Sequence, residues 1–195
     1  MLDESDMIHL STGNLFRDAI QNKTPLGVQA QSYVDAGKLV PDSITIGLVR
    51  EFVEKNKTVD FIFDGFPRTI PQAEALEQQI AEVGANTIEK ALFLEVPQKD
   101  LLERLSGRRV CKNCGAVYHV SNNPPQAEGV CDNCGGEVYQ RKDDAPDAIK
   151  TRLEAYEKST APLKEYYTGK GLFVSINGLG TAEQVFKRIS PFLKN

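Results

Sequence analysis

The apolar residues of the chain fall into two alternating patterns. Short continuous runs stand at Ile8-His9-Leu10, Phe61-Ile62-Phe63, Ala91-Leu92-Phe93-Leu94-Glu95-Val96 and Phe173-Val174-Ser175-Ile176. Runs of this length, bounded by Gly, Pro or polar residues, predict strands, and the two middle ones read as buried in a parallel sheet. Between them, apolar positions recur at helical spacing. Leu15, Phe16 and Ile20 follow the first run. Thr24-Pro25 reads as an N-cap with proline at the first helical position, and Gly37 closes that helix. Asp42 is expected to cap the next, where Ile44, Leu48 and Phe52 form one row and Thr45, Val49 and Val53 a second. Thr69-Ile70-Pro71 opens a helix through Ala73, Leu76, Ile80 and Val83 that ends at Gly84. Pro97 and Asp100 start another with Leu101, Leu102 and Leu105; Arg104 and Arg108 share a face if it extends that far. Pro146 opens a long helix through Ile149, Leu153 and Tyr156, kinked or interrupted near Pro162 and ended by Gly169. Thr181 caps a last helix with Val185, Ile189 and Leu193. Strands alternating with helices predict an α/β fold.

The run Phe61 to Phe63 leads into Asp64-Gly65-Phe66-Pro67-Arg68-Thr69. Asp64 stands at the carboxyl end of a strand, where open α/β sheets place ligands. A carboxylate there can orient Mg²⁺ and its waters. Gly65 admits a close backbone approach, Pro67 stiffens the turn, and Arg68 offers a planar fork suited to phosphate. The plainer alternative is a strand-end turn with a surface arginine.

Composition narrows the class. With 195 residues, 41% of them hydrophobic and 26% charged, the chain suits one soluble domain with room for an inserted module. A net charge of -4 argues against a general nucleic-acid binder. Arginines at 17, 68, 104, 108, 109, 141 and 152 near candidate motifs suit a small anionic ligand. No apolar run has membrane-spanning length and Met1 to Asp6 is no secretory signal, so a cytoplasmic protein without a membrane partner is expected.

Cys111-x-x-Cys114 and Cys131-x-x-Cys134, separated by sixteen residues, have the spacing of a tetrahedral structural Zn²⁺ site. Four thiolates close the coordination shell, so the metal would have no open position for catalysis. His119 is then a packed or hydrogen-bonded residue rather than a ligand.

In this order along the chain, His-Leu-Ser-Thr-Gly-Asn-Leu-Phe-Arg at 9–17, Gly-Lys-Leu-Val-Pro-Asp at 37–42, Asp-Gly-Phe-Pro-Arg-Thr at 64–69 followed by Gln72, the four cysteines, and Tyr-Gln-Arg-x-Asp-Asp at 139–144 resemble adenylate kinases of the long bacterial form. The resemblance covers nearly the whole chain. It implies a doubly wound parallel sheet of the nucleoside monophosphate kinase type, with an AMP-binding helical insert and a small zinc-bearing lid. The core would be 1–106 and 146–195, the AMP-binding subdomain 11–40 and the lid 107–145. The implied reaction is ATP + AMP = 2 ADP, run by a monomer with Mg²⁺ accompanying ATP. Thr12, Arg17, Lys38, Leu39, Val40, Gly65, Phe66, Pro67, Arg68, Gln72, Arg141 and Arg152 would bind AMP. Arg104, Arg108, Val117, Tyr118 and Gly180 would contact ATP. Arg68, Arg104, Arg108, Arg141, Arg152 and Asp64 would carry catalysis by alignment and charge neutralisation.

One part of the pattern is missing. A donor-phosphate loop, Gly-x-x-x-x-Gly-Lys-[Ser/Thr], matches none of the fifteen glycines. In the family that loop and its strand precede the Ser-Thr-Gly segment, which here follows only Met1 to Leu10. An N-terminally truncated chain is therefore expected. Alternatives are a non-catalytic AMP-binding remnant, another nucleoside monophosphate kinase, and a nucleic-acid-binding zinc ribbon.

Overall fold

The computed structural model describes residues 7–56, 59–82, 84 and 88–193. Met1 to Asp6, assigned above to the core, and Val83 of the fourth predicted helix lie outside the described residues. The chain runs β1 (Ile8–Ser11), α1 (Thr12–Gln21), α2 (Pro25–Asp35), α3 (Asp42–Lys55), β2 (Phe61–Asp64), α4 (Ile70–Glu82), β3 (Ala91–Glu95) and α5 (Gln98–Gly107). Three short strands follow, β4 (Arg108–Cys111), β5 (Val117–His119) and β6 (Val138–Tyr139). A 3-10 turn at Lys142–Asp144 leads into α6 (Pro146–Ala155), a π-helical turn (Tyr156–Thr160), α7 (Leu163–Gly169), β7 (Phe173–Asn177) and α8 (Ala182–Ile189).

The four apolar runs are strands, and all pair in parallel. β1 lies beside β2 from Ile8↔Phe61 to Ser11↔Asp64, and β3 beside β7 from Ala91↔Phe173 to Glu95↔Asn177. Parallel strands joined through helices are the arrangement expected of a nucleoside monophosphate kinase fold. Among the described residues no strand bonds to both pairs, so the sheet is present as two parallel halves. β4, β5 and β6 form a separate antiparallel sheet in the order β5-β4-β6. Among the described residues, no helix is long and apolar enough to cross a membrane.

Packing explains the element ends. Leu10, Val49, Val53, Phe66 and Leu76 form the core beside the first sheet half, with Phe61 and Phe63 packed against it. Phe16, Ala30 and Val40 close the α1–α2 hairpin against α3. Ala73, Leu163 and Tyr167 join α4 and α7 beside the second half. Thr24 caps α2 by accepting from the Gly27 amide at 3.1 Å. Gly27 is required there, because a Cβ would lie 2.1 Å from the Ala19 carbonyl oxygen. Gly37 is constrained twice: its φ is +69°, and a Cβ would lie 2.3 Å from the Ala148 carbonyl oxygen.

Two sequence expectations are corrected. Asp42 is the first residue of α3 and makes no cap bond; Pro41 is the N-cap. Its carboxylate reaches across to Thr69 Oγ1 at 2.9 Å and Gln72 Nε2 at 2.7 Å. Arg104 and Arg108 do not share a helical face, because α5 ends at Gly107 and Arg108 is extended. At that end the His119 ring packs against Gly107, where a Cβ would lie 2.1 Å from Nε2, so the approach requires glycine. The interruption expected near Pro162 is the π-helical turn, where the Ala161 amide donates to Tyr156 O at 2.8 Å.

Candidate active site

The segment after β2 is built inward from its backbone. The Phe66–Pro67 peptide is cis. Gly65 has φ +67°, and a Cβ there would lie 2.9 Å from Arg68 Nη2. The Gly65 carbonyl accepts from Arg68 Nε at 2.8 Å and from Thr12 Oγ1 at 3.2 Å, which ties the start of α1 to the turn after β2. Gln72 is buried; its Oε1 accepts from the Arg68 amide at 2.8 Å while its Nε2 donates to Asp42. Thr160 Oγ1 donates to the Arg68 carbonyl at 2.9 Å, so the π-helical turn also braces the arginine. Burial lowers the pKa of the Arg68 guanidinium, partly offset by Asp64.

Above this turn lies an open cleft. Ten of the twelve residues proposed for AMP line it: Thr12 and Arg17 from α1, Lys38 to Val40 after α2, Gly65, Arg68 and Gln72, and Arg141 and Arg152 from the far side. Phe66 is buried in the core beneath, and neither it nor Pro67 lines the cleft. Five cationic residues, Arg17, Lys38, Arg68, Arg141 and Arg152, and one acidic residue, Asp143, thus line the cleft. The crowding is electrostatically costly without an anion. Burial and then Arg141 push the Arg17 pKa down to about 10.

The adjacent pair Asp143-Asp144, given no role from sequence, organises these arginines. Asp143 takes both arms of the Arg141 fork and lies 3.5 Å from Arg152 Nη1. Asp144, fully buried, takes Arg108 at 2.8 and 2.5 Å and Arg152 at 3.5 Å. Burial alone would raise the Asp143 pKa; the hydrogen bonds and charge of Arg141, with Arg152 and Arg108, outweigh it and hold the carboxyl below its usual range. The signal available in the sequence was two carboxylates two and three positions after a predicted phosphate arginine, Arg141.

The remaining predicted residues lie elsewhere. Asp64 is exposed at the end of β2, 3.3 Å from His9 Nε2 on β1. Arg104 Nη1 donates to the Gly178 carbonyl at 3.2 Å, placing it beside the loop that holds Gly180. Val117 is exposed, whereas the Tyr118 side chain is buried in the β4–β6 module. His119 is hydrogen-bonded: Nε2 to the Glu103 carbonyl at 3.2 Å, and Nδ1 to the amides of Ser121 and Asn122 at 3.2 Å each.

The four cysteines converge, all Sγ atoms lying within 4.8 Å of one another. Cys111–Cys134 and Cys114–Cys131 are each 3.5 Å apart. Metal–thiolate bonds of about 2.3 Å in a tetrahedron place sulfurs just under 4 Å apart, so this donor set could hold a metal ion. Tyr118 Oη lies 3.4 Å from Cys131 Sγ. That hydrogen bond is the largest cause bringing the Cys131 thiol down to about 6.

A parallel α/β fold with an arginine-lined, carboxylate-organised cleft beside the carboxyl ends of β1 and β2 defines a nucleoside monophosphate kinase. The comparisons with known proteins agree. The family model described as "Adenylate kinase" matches residues 1–172. The chain is 50% identical over 195 residues to the adenylate kinase of Carboxydothermus hydrogenoformans, covering all of this chain and 91% of that protein. It is 51% identical over 186 residues to that of Geobacillus sp. (95% of this chain, 86% of the relative). It is 47% identical over 194 residues to that of Bacillus pumilus (99% and 89%). The chain belongs to the adenylate kinase family, enzymes that interconvert ATP and AMP with two ADP.

Proposed function

We propose that this chain transfers the terminal phosphoryl group of ATP to AMP, and that the cleft is the AMP site. The observation that carries the assignment is the ratio of charges there, five cations to one carboxylate, at the foot of a turn that presents Arg68. A phosphate monoester dianion relieves that imbalance, and guanidinium forks bind it bidentately. Thr12, the Lys38 to Val40 backbone and Gln72 would hold the nucleoside. Arg17 and Arg68 would hold its phosphate, and Arg141 and Arg152 would turn from Asp143 and Asp144 toward the transferring group as Arg108 and Arg104 close from the donor side. These groups align the reactants and neutralise developing charge, without a covalent intermediate. Mg²⁺ accompanying ATP would be oriented through water by Asp64. Residues 1–106 and 146–195 form the core in this scheme, 11–40 the AMP-binding part and 107–145 the lid. Cys111, Cys114, Cys131 and Cys134 would hold a structural Zn²⁺ that stiffens the lid.

Neither the nucleic-acid nor the non-catalytic alternative is favoured, since relatives named as the kinase align with nearly all of the chain. The test is ADP formation by the purified chain with ATP, AMP and Mg²⁺. The expected result is turnover that requires both nucleotides and falls by about a thousandfold in Arg68→Ala, the scale of losing a transition-state charge clamp. No ADP formation would show that this chain, which has no Gly-x-x-x-x-Gly-Lys-[Ser/Thr] loop for the donor phosphates, is not itself active, and absence of equilibrium AMP binding as well overturns the assignment; near-normal turnover by Arg68→Ala overturns the role of Arg68.

A further inference from the structure

Arg188 enters none of the roles above. It lies in the last turn of α8, and its Nη1 donates to two backbone carbonyls, Asn177 O and Leu179 O, each at 2.6 Å. The carbonyl between them, Gly178 O, is taken by Arg104 from α5. Three successive carbonyls, from the last residue of β7 onward, are thus held by two guanidinium groups from two helices. The amides around them are engaged too. Gly178 N donates to Glu95 O, Leu179 N to Asn177 Oδ1, and Thr181 N to Gln184 Oε1, each at 2.9 Å. Close approach is enforced at Gly178, where a Cβ would lie 2.6 Å from Val96 Cγ2. Among the described residues, the loop's Gly180, exposed and at φ +108°, finds no hydrogen-bond partner for its N–H or C=O.

The clamp therefore leaves one backbone donor and acceptor open, at a fixed place beside Arg104. We propose that Arg188 is a positioning residue for the donor base: by anchoring Asn177 and Leu179 it fixes the Gly180 backbone pair and so sets which purine edge is accepted. This rests on the reading of that loop as the donor-base side. Adenine presents a donor at position 6 and an acceptor at position 1, and guanine presents the reverse order. A rigid donor–acceptor pair distinguishes the two orders, while a loose one adapts to both.

The experiment uses the full chain with Arg188→Ala and Arg188→Lys. ATP and GTP serve as alternative donors to AMP, and amide hydrogen exchange is followed in parallel. Arg188→Ala is expected to raise the KM for ATP about tenfold and to shrink the ATP-over-GTP preference by a similar factor, the scale of losing hydrogen bonds from a charged group. The KM for AMP should stay unchanged, and exchange at Leu179 to Thr181 should quicken. Both contacts run through one nitrogen, so an ammonium can bridge the same carbonyls and Arg188→Lys should restore the preference. An unchanged ATP-to-GTP ratio in Arg188→Ala overturns the proposal, even if the variant is less stable. If the parent forms no ADP from either donor, the chain is not itself active and the base-positioning role fails with it. Unchanged exchange in Arg188→Ala would separately overturn the clamp.

Discussion

Gln72 shows how one residue links fold to site. It is 2% exposed, and both ends of its amide are engaged, one by the Arg68 amide and one by Asp42. Gln72→Ala would leave both partners short of a bond in a poorly hydrated place. A loss of about 2 kcal/mol is expected from urea unfolding, with a higher KM for AMP because the Arg68 backbone is no longer held. A second residue-scale expectation concerns pH. Asp143 has a folded pKa held below its usual value, because its arginine partners outweigh burial. A depressed carboxyl contributes stability that is present above the unfolded pKa and disappears as pH falls through the folded one. The stability gap between parent and Asp143→Asn should be constant from neutral pH down to about pH 5, then close below about pH 4. Denaturant titrations at a series of pH values check this, and a gap persisting at the acid end would mean that Asp143 acts by shape rather than charge.

Elements formed where a single local rule sufficed. The four apolar runs became the four parallel strands, the rows on α3 were buried as expected at Val49 and Val53, and the caps at Thr24 and Thr181 formed. What escaped sequence reasoning is tertiary. Asp42 had the chemistry of a cap but found better partners 27 and 30 positions away. The β4–β6 sheet has strands of only 2 to 4 residues, rich in Arg, Cys and Tyr, so no period could announce it. The cleft residues were legible through resemblance, but the carboxylates that hold its arginines were not, because an Asp pair looks the same on a solvated surface. Glycine gives a paired test of element packing. Gly27→Ala drives a Cβ into the Ala19 backbone and should cost more than about 2 kcal/mol, because backbone cannot step aside. Gly47, inside α3, has nothing within 4 Å of where a methyl would stand, and Gly47→Ala should stabilise by up to about 1 kcal/mol. Thermal melts of the two variants should therefore shift in opposite directions.

At the scale of the molecule, the thiol module and the body are stabilised by different means. The buried apolar side chains of the module are Cys111, Tyr118 and Cys131, a cluster separate from those that join the helices to the sheet halves. So small a unit cannot hold its backbone by apolar burial alone, and a metal would supply the missing free energy. Among the described residues its polar joints to the body are His119 to the Glu103 carbonyl, Arg109 and Gln140 to the Ser106 carbonyl, the Val120 amide to the Gly107 carbonyl, and Arg108 and Gln140 to Asp144. The exposed pair Lys142–Asp35, at 3.0 Å, adds little beside them. Removing metal with a chelator should therefore unfold the module and leave the body standing. Elemental analysis should find one zinc per chain beforehand. Amide exchange after chelation should accelerate across β4, β5 and β6, while the amides of the β1–β2 and β3–β7 pairs stay protected. AMP should still bind, more weakly because the segment carrying Arg141 is released, and phosphoryl transfer should stop. Persistent protection in β4–β6 without metal would show that the module folds on apolar contacts and thiol hydrogen bonds alone. Loss of protection throughout the chain would show that module and body fold as one cooperative unit, with the arginine–carboxylate joints strong enough to couple them.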